Sequence, residues 1–228
     1  MKKGTGLCPV FMIAALCLSG CGKVSMDVDA NTLYVDSNGK LTEVIVEDFE
    51  KDYYDEDELK TYIDDAVESY QNENGKSDVA VKKYEVKNQV AKLLVEYDSC
   101  DSYAAFNETE IYVGTVLKAQ AAGYGFDVHF YTPEQSGEND TETDFALGES
   151  TEEIAENTGS MADSVSADTV LGEDNNQVLI LKHDTNVQVK GEILYVSEHV
   201  RVTGKNTAEV FGEGADSTDA GLAYIIYK

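Results

Sequence analysis

Between Glu134 and Asn176 the chain carries thirteen acidic side chains and no basic one, spaced by Ser, Thr, Gly and Asn. Such a stretch cannot bury enough apolar surface to offset the entropy lost on ordering it. Whatever folds must therefore do so from the residues on either side. A loop of this length is unusual inside a compact unit, so 133–176 reads as an acidic mobile linker or insertion. One short helix is expected within it, at Ser150–Thr158, where Ser150 and Glu153 form a capping box.

The flanking segments have the apolar content for a core: 42% of the 228 residues are hydrophobic and 14 are tyrosine. In 32–132, two β-branched runs flank Asn38-Gly39, a strong hairpin signal. Leu59, Tyr62, Ile63, Ala66, Val67 and Tyr70 then recur at helical spacing, with Asp55 or Asp57 placed to cap. The pattern recurs in 79–97, a strand pair turning near Lys87-Asn88. A second helical periodicity runs through Ile111, Val113, Leu117 and Ala121 to a C-capping Gly123. At an offset of 49 residues, Val44–Glu47 overlies Leu93–Glu96. One further strand is expected over Gly125–Thr132, ahead of Pro133.

From 177 to 228 the pattern is β. Val187-Val189-Gly191 and Val200-Val202-Gly204 each place two valines on one strand face before a glycine, and Leu222–Lys228 reads as a final strand. The predicted class is α+β: two ββα-like units with mainly antiparallel sheet, the acidic flexible insertion, and a C-terminal β-rich region.

The first residues point outward from the cytoplasm. Lys2 and Lys3 precede a largely apolar block, Leu7–Leu18, too short to span a bilayer. The block ends at Leu18-Ser19-Gly20-Cys21, which resembles the lipobox of bacterial lipoproteins. The resemblance implies removal of a 1–20 signal peptide, acylation of the Cys21 thiol, and a lipidated tether over 21–31. It implies a membrane-anchored protein facing outside the cytoplasm, similar to the small lipoproteins of low-GC Gram-positive bacteria. Two or three acyl chains hold durably where one does not.

Charge narrows the partners. The formal net charge is −27. Losing Lys2 and Lys3 with the leader leaves 15 basic against 44 acidic residues, a net −29. Nucleic acid is excluded, and the chain as a whole is repelled by anionic lipid, so the acyl anchor must supply the attachment. Arg201 is the sole arginine, which removes the usual bidentate clamp for phosphate.

Candidate chemistry is sparse. With Cys21 acylated, Cys100 is the remaining thiol and sits among acids, a poor nucleophile. Asp27, Asp29 and Asn31 alternate like the start of an EF-hand loop, but Thr32 stands where glycine is needed and Asn38 where a bidentate Glu belongs. That leaves room only for weak calcium binding by scattered carboxylates. The histidines are His129, His183 and His199; Asp127 and His129 share a strand face, and His183 precedes Asp184, without a metal-binding spacing. Tyr53, Tyr54, Tyr97 and Tyr103 fall near strand–helix junctions, where exposed aromatics can anchor a partner.

No catalytic motif and no cofactor motif is present, and no catalytic or metal residue is assigned. The expectation is a non-catalytic binding or scaffolding role for an unknown envelope partner or ligand. The alternatives are an extracellular hydrolase using carboxylate and histidine chemistry, which would gather Asp127, His129 or His183 beside an acid of raised pKa, and a calcium-responsive acidic module.

Overall fold

The computed structural model describes residues 24–134, 136, 164–211 and 221–228. The lipobox and the expected Ser150–Thr158 helix lie outside them. Among the described residues there are four helices and twelve strands in two mostly antiparallel sheets, an α+β fold with a β-rich C-terminal segment.

The chain opens with β1 (Thr32–Val35), β2 (Leu41–Asp48) and α1 (Glu56–Asn74), then β3 (Val79–Lys87), β4 (Val90–Tyr97) and α2 (Cys100–Asn107): the two ββα units. The 49-residue offset superposes β2 on β4, which pair side by side, antiparallel. Local chemistry sets each boundary. The Asp55 carboxylate accepts from the Asp57 and Glu58 amides at 2.9 and 3.0 Å, capping α1, and Gly75 ends it at φ 65°. Ser99 caps α2 in a reciprocal box with Ser102. The β3–β4 hairpin turns on Asn88 and Gln89, both at positive φ. The Asn38-Gly39 hairpin uses a wider loop, in which Asp36 Oδ1 accepts from the Asn38 and Lys40 amides and Gly39 takes φ 78°.

Beyond α2 the expected helix through Ile111 and Ala121 is replaced by a strand and a short helix. Glu108 takes φ 51° and stops α2, β5 (Ile111–Thr115) follows, and α3 (Val116–Ala121) starts at its cap Thr115. Ile111, Tyr112 and Val113 satisfy a period of two as well as a helical one, and the edge beside β7 decides between them. The strand expected at Gly125–Thr132 contracts to β6 (Phe130–Tyr131). Residues 164–176, the end of the acidic stretch, contain α4 (Ala167–Gly172), whose Val170 is fully buried.

The C-terminal segment supplies β7 (Gln177–Leu181), β8 (Thr185–Val189), β9 (Ile193–Ser197), β10 (Val200–Gly204), β11 (Thr207–Val210) and β12 (Ala223–Tyr227). The seven-stranded sheet runs β10-β11-β8-β1-β2-β4-β3, the five-stranded one β5-β7-β12-β9-β6. Each sheet mixes strands from both sides of the acidic stretch; β1 pairs β8 in parallel and β5 pairs β7.

The inner face of the seven-stranded sheet (Leu33, Val35, Leu41, Val95, Val187, Val189) packs on Leu179, Leu181, Ile193, Val196 and Ile225 of the five-stranded sheet. Tyr70 of α1 and Tyr103 of α2 join that core at the β3–β4 end. The other face of the five-stranded sheet (Val178, Ile180, Tyr224, Ile226) is covered by Val116 and Ala119 of α3, Val170 of α4, Phe126 and Phe130. With both faces covered, β7 and β12 read as unbroken apolar runs, and every residue of β12 is buried.

The outer face of the seven-stranded sheet carries a third, smaller cluster. Val24, Met26 and Val28 lie against Val44, Val46 and Leu94. The segment has no regular structure, yet Lys92 Nζ holds it by donating to the Met26 and Val28 carbonyls at 3.2 and 2.5 Å.

Candidate functional site

Along β2, Leu41, Glu43 and Ile45 share the inner face, because side chains alternate along a strand. Glu43 is thus placed in the core, paired across to Leu33 on one side and Val95 on the other, and only 7% exposed. A carboxylate there must be hydrogen-bonded. Tyr97, closing β4, donates to Glu43 Oε2 at 3.1 Å, and Tyr103 of α2 donates to Oε1 at 3.0 Å. Tyr97 and Tyr103 meet edge to face at 4.7 Å. His183, between β7 and β8, stacks on the Tyr103 ring, with Nε2 3.0 Å from its hydroxyl.

The protons follow from this geometry. Tyr103 has one hydroxyl proton, and it goes to Glu43. His183 Nε2 must then carry the hydrogen donated to the Tyr103 oxygen, leaving Nδ1 a bare acceptor. Nδ1 is the atom of that ring buried without a partner, a position that an acceptor tolerates better than a donor. Burial raises the Glu43 pKa, and the Tyr103 and Tyr97 hydrogen bonds pull it back down. Burial lowers that of His183 against the field of Asp184. Burial and the Glu43 charge push both tyrosines up, so they serve as donors throughout the physiological range.

The set is a chain of hydrogen bonds linking an acid to an imidazole. Glu43, Tyr97 and Tyr103 lie in the inter-sheet core, while His183 is half-buried at its edge, between the exposed Lys182 and Asp184. What it can do chemically is share protons and order the surrounding elements: it ties β2, β4, α2 and the β7–β8 connection to one another.

A cleft of about 410 Å³ lies between α1 and the β2-β4-β3 end of the sheet, lined by Ile45, Ile63, Val67, Val81, Leu93 and Phe106. Tyr62 stands at its rim, 72% exposed.

No family model matches this chain, and neither a curated protein nor a solved structure matches it.

The sequence candidates are scattered by comparison. Asp127 and His129 are both exposed and are not bonded to each other. Neither approaches His183's acid partner; the raised-pKa acid linked to a histidine is Glu43, reached through Tyr103. His199 is a turn residue at φ 61°, edge-on to Phe211. Asp27 and Asp29 belong to the segment leading into β1, while the Asn31 side chain accepts from the Val46 amide. Among the described residues no three His, Cys, Asp or Glu side chains converge to hold a metal ion. Cys100 is the half-buried first residue of α2. Of the four tyrosines, Tyr97 and Tyr103 are core residues holding Glu43, while Tyr53 is 77% exposed and stacks edge-on with Tyr54 at 4.9 Å. Glu43 was not among the sequence candidates, although an acid at an inward position of the alternating run Leu41–Val46 is the signal that would have found it.

Proposed function

We propose that this protein is a membrane-anchored extracytoplasmic lipoprotein with a non-catalytic binding or scaffolding role in the cell envelope. The observation that carries the reading is Leu18-Ser19-Gly20-Cys21 placed directly after a basic start and a short apolar block. Acyl chains on Cys21 attach it to the membrane, and the folded part faces outward. The non-catalytic half of the reading is supported by where the titratable groups sit. Among the described residues, the acid end of the acid–histidine chain, Glu43, is buried in the core and bonded to two tyrosines, and Asp127 and His129 are exposed and not bonded to each other.

Metabolic labelling with a radiolabelled palmitate analogue tests the anchor. The expected result is label on the full-length gene product and none on Cys21→Ser, which also loses its fractionation with membranes. Absence of label on the unaltered chain overturns the reading. Hydrolysis of wall, glycan or peptide substrates, abolished by a single Asp, Glu or His substitution, overturns the non-catalytic role.

A further inference from the structure

Strand register assigns every side chain of the seven-stranded sheet to one face or the other. On β4, Val90, Lys92, Leu94 and Glu96 point outward; opposite them stand Asp48, Val46, Val44 and Thr42 of β2, and Lys87, Glu85 and Lys83 of β3. Through Thr32 and Tyr34 of β1 the same face continues to Asn186 and Gln188 of β8, then Thr207 and Glu209 of β11, and Arg201 of β10. This face therefore sets Lys82, which pairs with Glu96 at the β3 bulge, Lys83, Lys87, Lys92 and Arg201 against Asp48, Glu85, Glu96 and Glu209. It is close to balanced, in a chain whose formal net charge is −27. The cations concentrate at the β3–β4 end, where Lys83, Lys87 and Lys92 line a shallow groove with Glu85 beside Ser25–Asp27. Lys83 is matched to Glu85 at 2.7 Å and Lys92 to the Met26 and Val28 carbonyls, whereas no carboxylate is paired with Lys87 among the described residues.

The N-terminal segment is fastened to this same face from Val24 onward. Between Val24 and Cys21 lie only Gly22 and Lys23. Three residue steps reach at most roughly 10–11 Å at 3.3–3.6 Å each. The Cys21 backbone therefore cannot stand farther than that from Val24, which packs on the β2–β4 part of the outer face. We infer that the outer face of the seven-stranded sheet, at its β3–β4 end, lies against the bilayer that holds the acyl chains, with Lys83 and Lys87 on anionic phospholipid headgroups. The inference rests on the lipoprotein reading and adds an orientation to it. The strongly acidic remainder then points away from the negative surface, and the lysines near the headgroups are attracted to it. The anchor supplies the attachment, and the local charge selects which side faces down.

Variants of the full chain with one added cysteine test this in spheroplasts, read by a bulky membrane-impermeant maleimide after subtracting the reaction of the unaltered chain's Cys100. Lys87→Cys and Lys83→Cys report the β3 edge. Lys205→Cys, in the β10–β11 turn at the opposite edge, reports a position six strand spacings away, roughly 28 Å at 4.7 Å each. The expected result is severalfold slower modification at 83 and 87 than at 205 in intact membranes, with the difference lost in detergent. Palmitate labelling is scored on the same samples. Labelled protein with equal rates at all three positions overturns the orientation and leaves the anchor standing. Unlabelled protein overturns both.

Discussion

Glu43 and His183 are shifted in opposite senses by the same burial, and the two shifts act on stability in different pH ranges. A buried acid with a raised pKa favours its neutral form when folded. Its contribution is present below the ordinary value of 4.5 and is lost as pH rises through the folded pKa above it. A buried histidine with a lowered pKa does the reverse: its contribution is present above 6.5 and is lost as pH falls toward the folded value. Urea unfolding across pH 4–8 should therefore show wild type losing ground to Glu43→Gln as pH rises above 4.5, and losing ground to His183→Gln as pH falls below 6.5. Parallel profiles for wild type and variant would show that neither group is perturbed. Tyr103→Phe removes the hydroxyl that both groups use. It should cost about 1.5–3 kcal/mol, the range for hydrogen bonds to charged groups, and should steepen the decline with rising pH, because a bond that lowers the Glu43 pKa is gone. A cost near zero would mean that Glu43 finds water in its place.

At the scale of elements, two glycine-related positions control how strands are joined. A Cβ on Gly191 would clash with the Lys228 carbonyl oxygen. That carbonyl accepts from the Glu192 amide at 2.8 Å, and the Lys228 amide donates back to Glu192 at 3.1 Å. Gly191→Ala must push the C-terminal end of β12 off its neighbour. A loss of about 1–3 kcal/mol, as for other overpacked sites, is expected in thermal unfolding. Gly125→Ala, with nothing within 4 Å of the added carbon, serves as the near-neutral comparison. The β3–β4 turn offers the opposite change. Gln89 sits at φ 63°, where a side chain costs roughly 1–2 kcal/mol relative to glycine. Gln89→Gly should raise the urea midpoint; an unchanged or lower midpoint would show that its side chain contributes more than the backbone conformation costs.

For the whole molecule, the governing terms are charge and chain topology. Forty-four acids against 17 basic residues repel one another across the surface, and the exposed ion pairs, such as Lys60–Asp64 and Lys205–Glu192, are individually weak. Raising salt shortens the screening length from about 30 Å at 0.01 M to about 8 Å at 0.15 M. The melting temperature should rise over that interval, and a flat or falling value would place the acids farther apart than the net charge implies. Topology makes the chain indivisible. β12 lies between β7 and β9 in the middle of the five-stranded sheet, so a chain ending at Leu222 should fail to show a cooperative transition by circular dichroism. Retained cooperativity would mean that β7 and β9 can pair without it.

The residues alone determined whatever depends on near neighbours. Asp55 or Asp57 marks the start of α1, the 49-residue offset matches β2 to β4, and alternating valines mark β8 and β10, because caps, turns and periodicity act within a few positions. Leu18-Ser19-Gly20-Cys21 is a local pattern of the same kind, and the leader and anchor proposed above rest on it. Tertiary structure alone decided the fate of Ile111–Thr115, which suits a helix or a strand equally until the edge of β7 is offered to it. It also decided the partners of Glu43: Tyr97, Tyr103 and His183 lie 54, 60 and 140 positions along the chain. The acids of a chain this acidic look alike in sequence. Only the pleat of β2 and the closure of two sheets over it bury Glu43, which, unlike the other acids among the described residues, must find its hydrogen bonds in the core.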